Sequence, residues 1–333
     1  MEVSSTPVFG VKTAFRSENP LDSVWEELNL LSDPVYLRKA WPQADGELIL
    51  YTCFSIQQAH EYFLASKYVT YATKPLLLYY CFLNLAKAAL AMKNDKVPKG
   101  HHGLSNPKYE DQIVDCCMKT NAGVFDELNK ATASEISIDE EVSAGLFSER
   151  AIELLSVYER IYGKKPSIIT PKIGRFPNEV KISVDKSIMA HYPSLEDILV
   201  AKLSRDFEKI ETGNSALIFK NKSQLPASQD EAKALADEIV NRYVLYSVLH
   251  DKRHFIDISD RRISQESCYF ALMFLLGSAV RYAPSTLHDW LYDLKKSNRS
   301  YLERVCNTAA RVFPNLMLNL IYGDRLKYAP SFL

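Results

Sequence analysis

The stretch KPLLLYYCFLNLAKAALAMKND, residues 74–95, gives the strongest structural signal in the first half of the sequence. Pro75 suits the first turn of a helix, because its missing N–H would have no partner there in any residue. The residues that follow are apolar around nearly the whole circumference, which predicts a helix buried on most sides. The exceptions, Tyr80, Asn84 and Lys87, are spaced i, i+4 and i+7 and form one stripe. Since buried polar groups need partners, this stripe is the first place to look for a site.

Outward from this helix, the apolar periodicity predicts a mainly α fold, a multi-helix core with a few short strands in a central insertion between about 110 and 220. A polar stretch at 221–230 is the best linker candidate. It suggests an N-terminal helical part, 1–220, that carries the strands, and a C-terminal helical part, 228–333, that packs on the 54–94 helices; a single domain is the alternative. The core helices are expected at 54–67, 75–94, 264–283, 286–296, 299–312 and 314–322.

Composition bounds the possible functions. The 333 residues carry a formal net charge of -1, so no global field attracts nucleic acid or anionic lipid, and any such contact needs a local basic patch. The N-terminus MEVSSTPVFG lacks the basic and apolar regions of a secretory signal. The apolar segments 75–92 and 268–283 are too polar or too short for the roughly 20 residues of a membrane span. These features predict a cytoplasmic protein without a membrane contact.

Five separate blocks carry a likeness to a known family. They are KPLLLYYCFLNLAKA in the helix above, HGL at 102–104, GVF at 123–125, LLGSAVRYAP at 275–284 followed by Trp290, and FPNLMLNLIYG at 313–323. In this order they resemble the landmark segments of the YaaC-like family over about 55 to 325. The resemblance implies a mainly helical, cytoplasmic bacterial protein and implies little about its chemistry.

A second likeness bears on function. The segment from Arg281 to His288 has the spacing R-x6-H at a helix boundary, which resembles the R-x4–6-H signature of HEPN-type helical modules. Many such modules are metal-independent ribonucleases of toxin and phage-defence systems. The sequence departs from that pattern at Tyr282, where these motifs often carry a small polar residue.

The ribonuclease hypothesis assigns a role to each member of this pair. His288 would act as general base and acid, since imidazole titrates near neutrality, and Arg281 would hold the phosphate bidentately. One histidine supplies one acid/base group, so the hypothesis also predicts a homodimer in which the two motifs face each other. In the alternative interpretation, which the residues favour, Arg281 complements the negative end of its own helix and His288 is a solvent-exposed side chain.

The polar stripe has two interpretations as well. Lys87 could join Arg281 in a phosphate-binding pocket if the two apolar helices pack together, with Tyr80, Asn84 and Tyr282 as further ligand-binding residues. Alternatively, Lys87 extends its ammonium group to solvent and Asn84 ties neighbouring helices together.

No metal or cofactor is expected. His250 and His254 have the i, i+4 spacing of a helical metal pair, but no third ligand of fixed spacing accompanies them. P-loop, G-x-G-x-x-G, G-x-S-x-G and H-E-x-x-H patterns are missing from the sequence, which argues against nucleotide hydrolases, dinucleotide oxidoreductases, common esterases and zinc proteases.

Two hypotheses follow. The first is a HEPN-like ribonuclease, or a degenerate relative, that acts on RNA in antiviral defence or a toxin system. The second is a non-catalytic helical interaction module that holds a protein or nucleotide ligand beside Asn84, Lys87 and Arg281.

Overall fold

The computed structural model describes residues 14–16, 19–98, 100–176, 178–210, 215–226, 228–249, 254–293, 297–323 and 327–329. The chain forms two compact units. The first combines residues 1–162 with 261–333, and the second comprises 163–260. The polar stretch 221–230, at which the sequence suggested a boundary, therefore lies inside the second unit.

The fold is mainly α with a minor β component, as predicted. The helices are α1 Pro20–Leu31, α2 Pro34–Ala40, α3 Gly46–Ser66, α4 Lys74–Asn94, α5 Val124–Ala131, α6 Ala144–Ser148, α7 Leu155–Tyr162, α8 Leu195–Leu203, α9 Gln229–Asn241, α10 Gln265–Tyr282, α11 Pro284–Tyr292 and α12 Asn298–Tyr322. The strands are β1 Ala14–Arg16, β2 Leu104–Lys108, β3 Cys117–Thr120, β4 Glu141–Ser143, β5 Ile168–Ile169, β6 Lys172–Phe176, β7 Glu179–Asp185, β8 Phe207–Ile210, β9 Ala216–Asn221, β10 Leu245–Tyr246, β11 His254–Asp257 and β12 Lys327–Ala329.

Helix α4 is the centre of the first unit. It packs against α3, α10 and α12, and its side chains from Leu78 to Met92 are almost all buried. Its Phe82 ring stacks on Phe313 of α12, with ring centroids 4.1 Å apart and planes 9° apart. Helices from both ends of the sequence therefore meet at α4.

Local sequence explains how the chain enters this core. Helix α1 ends at Leu31, and Asp33 caps α2, because its carboxylate accepts hydrogen bonds from the N–H groups of Val35 (2.7 Å) and Tyr36 (3.2 Å). Pro34 then occupies the first turn of α2. These two residues therefore separate α1 from α2.

Several predicted boundaries are wrong. The C-terminal residues form one helix, α12, with Pro314 inside it, rather than two helices that meet at Phe313. Proline costs a helix one hydrogen bond, but here Phe313 and Pro314 are both buried, and burial outweighs that loss. Likewise, α11 spans Pro284–Tyr292 and not 286–296, and α3 begins at Gly46, eight residues before its predicted start at 54.

The second unit has a core of its own. Strands β6, β7, β9 and β8 form, in that order, an antiparallel sheet, and β10, β11 and β5 form a second small sheet. Alternate residues of β7, Val180, Ile182 and Val184, are fully buried, which is the period-two pattern of a half-covered strand. Helices α8 and α9 contribute further buried side chains to this core.

Among the described residues, one helix, α4, is long and apolar enough to cross a membrane, and α10 with α11 would pass the same test only as a pair bent by 113°. Most of α4 is buried against other helices of the unit, as in the core helix of a folded protein. A cytoplasmic location stays a prediction.

Candidate anion-binding site

A close helix crossing builds the floor of the candidate site. Gly277 of α10 lies directly against α4, so that a Cβ added there would come within 2.9 Å of the Cβ of Tyr79 and 3.3 Å of the Pro75 carbonyl oxygen. Only glycine allows this approach without a shift of one helix. The crossing places Tyr79, Tyr80 and the last turn of α10 side by side.

The loop 101–103 forms one wall of the site. Its His101 and His102 carbonyls accept hydrogen bonds from the N–H groups of Val124 (2.9 Å) and Phe125 (3.1 Å). These N–H groups lie in the first turn of α5, where they have no partner within the helix. Two glycines make this contact possible. Gly103 has a φ of +81°, and a Cβ on Gly123 would lie 2.5 Å from the His101 carbonyl oxygen.

This loop places His102 against a buried tyrosine. The Tyr79 hydroxyl lies 2.6 Å from Nδ1 of His102, and this is the one hydrogen bond of that hydroxyl in the described part of the chain. Burial raises the pKa of Tyr79, so its hydroxyl keeps its proton, and the buried proton needs an acceptor. Nδ1 must therefore accept, which leaves the proton of the neutral imidazole on Nε2.

Arg281 lies over the same tyrosines. Its Nη1 donates to the Tyr80 hydroxyl at 3.2 Å and its Nη2 to Ser278 Oγ at 3.4 Å. The guanidinium carbon lies 5.6 Å from the ring centre of Tyr79 and 4.7 Å from that of Tyr282. The Nε atom is buried and has no hydrogen-bond partner in the described structure. Arg281 therefore has one N–H donor, at Nε, that is available for a ligand.

Two further residues of the predicted polar stripe lie on α4, one and two helical turns beyond Tyr80. Lys87 is partly buried, and this burial lowers its pKa. Asn84 is only 9% exposed, and the described structure gives its side chain no hydrogen bond. Tyr80 contacts Arg281 as described and stacks on Tyr62 of α3, with ring centroids 5.4 Å apart. Tyr282 remains 70% exposed.

The electrostatics of the cluster are one-sided. Burial lowers the pKa of His102, and the positive charges of Arg281 and Lys87 lower it further. Neither Arg281 nor Lys87 forms an ion pair with a carboxylate in the described residues. Partly buried cations without a counter-ion are costly, and a bound anion would relieve that cost. We call Tyr79, Asn84, Lys87, His102 and Arg281 the α4–α10 cluster.

His288 lies in different surroundings. Its ring packs on Tyr292, 4.9 Å away, and its Nδ1 lies 3.5 Å from a carboxylate oxygen of Asp289. These side chains line a cleft of about 420 Å³ that also contains Glu110, Asp111 and Asp293. Within the described chain, no hydrogen bond or ring contact joins His288 to Arg281. The bend of 113° between α10 and α11 separates the surroundings of the two motif residues.

The described residues contain no group of three or more His, Cys, Asp or Glu side chains that could hold a metal ion. His250, one member of the histidine pair noted in the sequence, lies outside the described residues. His254 is in β11, where its ring packs on Tyr246 of the neighbouring strand β10.

Comparison with known proteins places the chain in a family. The model of the YaaC-like protein family matches residues 21–321, almost the whole sequence. The chain belongs to the YaaC-like family. No curated protein matches the chain. No solved structure matches it either.

The structure gives a physical reason for the YaaC-like landmark segments. Each contributes to the α4–α10 cluster or to the packing beneath it: Tyr79 from the first segment, His102 and Gly103 from the second, and Gly277 and Arg281 from the fourth. The third segment supplies the α5 N-terminus, and the last supplies the Phe313 ring that stacks on α4.

Sequence reasoning missed two residues of the cluster. Tyr79 looked like one more apolar position of a buried helix, and His102 looked like part of a polar loop. The double histidine before Gly103 was a usable signal, because a histidine held by a glycine turn is often a ligand-binding residue. Its partner on α4 could not be found without the fold.

Proposed function

We propose that this YaaC-like protein is a non-catalytic binding module for a phosphorylated ligand, held in the α4–α10 cluster. The observation that carries the proposal is the pair of partly buried cations, Arg281 and Lys87, without a carboxylate partner. Every polar group that the cluster leaves free is a donor or, in Asn84, includes one. This arrangement matches the needs of a phosphate group, which offers only acceptors near neutral pH.

Tyr282 supports a nucleotide as the ligand. Its ring is largely exposed and lies directly beside the Arg281 guanidinium. A nucleobase could stack on this ring while its phosphate meets Arg281, since base–aromatic stacking contributes about 1–3 kcal/mol.

The ribonuclease hypothesis has less support. It needs Arg281 and His288 at one phosphate, but their side chains have separate neighbours. The cleft beside His288 carries the carboxylates of Glu110, Asp289 and Asp293, which repel the phosphates of RNA. The antiviral or toxin role, the RNA substrate and the facing-motif homodimer stay predictions.

A titration with a ligand panel tests the proposal. We expect calorimetry to detect AMP and ATP binding, with weaker binding of inorganic phosphate and pyrophosphate. Arg281→Gln and Lys87→Gln should each weaken nucleotide binding at least about tenfold, equal to 1.4 kcal/mol. Arg299→Gln, which removes an exposed arginine of α12, is the matched control and should bind as the wild type does.

Tyr282→Ala should weaken nucleotide binding and leave phosphate binding unchanged, whereas Tyr292→Ala, another exposed tyrosine, should change neither. The proposal is wrong if no phosphorylated compound binds, or if Arg281→Gln and Arg299→Gln behave alike.

Incubation of the protein with total RNA and EDTA tests the ribonuclease hypothesis. Cleavage that is lost in both Arg281→Ala and His288→Ala would restore the ribonuclease hypothesis.

A further inference from the structure

The outward face of α3 carries a row of exposed apolar side chains. Leu50, Phe54 and Leu64 of α3, and Tyr68 in the turn that follows it, are between 41% and 88% exposed, although the opposite face of the helix is fully buried. With Gln57 and Glu61 between them, they are spaced by four, three, four, three and four residues. We call these six residues the α3 stripe. A 4–3 spacing is the seam that packs one helix against another.

The α3 stripe is symmetric about its centre. Leu50 and Tyr68 lie nine residues to either side of Ala59, and Phe54 and Leu64 lie five residues to either side. In an antiparallel pair of two such helices, apolar residues would therefore meet apolar residues at both ends. A two-fold interface requires this self-complementarity, because each residue meets its counterpart across the axis.

The polar residues obey the same symmetry. Gln57 and Glu61 lie two residues to either side of Ala59, so each glutamine amide would meet the carboxylate of the other copy. Gln57 Nε2 donates one of its two protons to the Ser32 carbonyl at 3.2 Å, which leaves the second proton for this contact. At the ends, Glu47 of one copy and Lys67 of the other lie within about one helical turn, or 6 Å along the axis. The central polar pairs are complementary in hydrogen bonding, and the pairs at the ends are complementary in charge.

From this palindrome we infer that α3 docks antiparallel on α3 of a second copy of the chain and forms a homodimer. This surface differs from the facing-motif homodimer suggested by the sequence, and it does not depend on the phosphorylated ligand. The four apolar side chains expose roughly 400 Å² per chain, about half of the 800 Å² that a standard interface buries on each partner. The dimer is therefore weak, with a dissociation constant on the order of micromolar.

Sedimentation velocity between about 1 and 100 µM tests the inference. The wild type should shift from monomer to dimer over this range. Phe54→Glu places a carboxylate against the Leu64 of the other copy and should remove the dimer. Val35→Glu is the matched control, because Val35 is also apolar and is even more exposed than Phe54, but it lies on α2, outside the stripe. Both substitutions are on the surface, so the fold should be unaffected.

Cross-linking tests the direction of the helices. In a Cys117→Ser background, Gln58→Cys lies next to the axis and should form a covalent dimer with a short bis-maleimide. Glu47→Cys should not, because the two copies of residue 47 would be about 36 Å apart. A cross-link through Glu47→Cys would indicate parallel helices. That result would overturn the inference. So would a chain that stays monomeric up to 100 µM, a monomeric chain that stably binds a different protein, or a dimer that survives Phe54→Glu.

Discussion

Gly277 sets the distance between α10 and α4. In Gly277→Ala the new methyl group would meet the Tyr79 Cβ at 2.9 Å, and backbone on both sides resists a shift. We expect a loss of about 1–3 kcal/mol in the free energy of unfolding, measured by urea denaturation. Gly100→Ala is the control, because a Cβ there meets nothing within 4 Å, and its stability should not fall. Equal stability of both variants would contradict the close crossing.

At His102, charge and burial act on a single imidazole. They lower its pKa below the usual 6.5, so the folded protein holds it neutral while the unfolded chain takes up a proton. Its contribution to the free energy of unfolding is therefore full above pH 6.5 and decreases as the pH falls toward the folded-state pKa. Arg281→Gln removes one cause of the shift.

We therefore expect the pKa of His102 in Arg281→Gln to rise toward 6.5, as measured by an NMR titration of the imidazole. Urea denaturation between about pH 5 and pH 7 should show a smaller pH dependence in this variant. Arg299→Gln should leave both quantities unchanged. An unchanged pKa in Arg281→Gln would place the guanidinium charge too far from the ring to matter.

Residue by residue, the site was only partly predictable. The common stripe of Tyr80, Asn84 and Lys87 follows from their spacing on one helix, α4, and Arg281 is recognisable by its place at a helix end. The link from Tyr79 to His102 joins residues 23 positions apart through tertiary packing, which leaves no periodic trace. The pairing of Arg281 with His288 relied on sequence distance, which loses its meaning where the chain bends at Ala283.

Among the elements, α2 depends on its cap. Asp33→Ala removes the acceptor for two N–H groups at the start of this seven-residue helix. We expect the free energy of unfolding to fall by about 1 kcal/mol, measured by thermal or urea denaturation. Glu26→Ala, an exposed acidic residue within α1, should change stability by less than about 0.5 kcal/mol. A similar loss in both variants would indicate a charge effect instead of a cap.

Element boundaries show where local rules were sufficient. The α4 helix was predicted almost to the residue, because Pro75 and a long apolar run act in the same direction. Pro314 misled the prediction, since a proline normally ends or kinks a helix. There, burial of Phe313 and its neighbours in the core overrides a local preference, and no single-sequence rule contains that information.

On the scale of the whole molecule, each unit has its own core, so damage to one should remain local. Ile182→Ala empties a fully buried position in the sheet of the second unit and should cost about 2–5 kcal/mol. We expect hydrogen–deuterium exchange to increase within residues 163–260 and to stay unchanged in α4. Val200→Ala, at an exposed position of α8, is the control. Faster exchange in α4 would show that the units unfold together.

The interrupted first unit has a consequence for biosynthesis. Helix α4 ends at Asn94 and its partner α10 begins at Gln265, so 170 residues must be translated between them. At about 5–20 residues per second, this long apolar helix waits roughly 10–30 s on the ribosome before α10 is synthesised. During that interval α4 lacks its packing partner and exposes an apolar surface like that of a membrane-spanning helix. Trigger factor-like chaperones should therefore engage the nascent chain at this point, and their absence should lower the soluble yield.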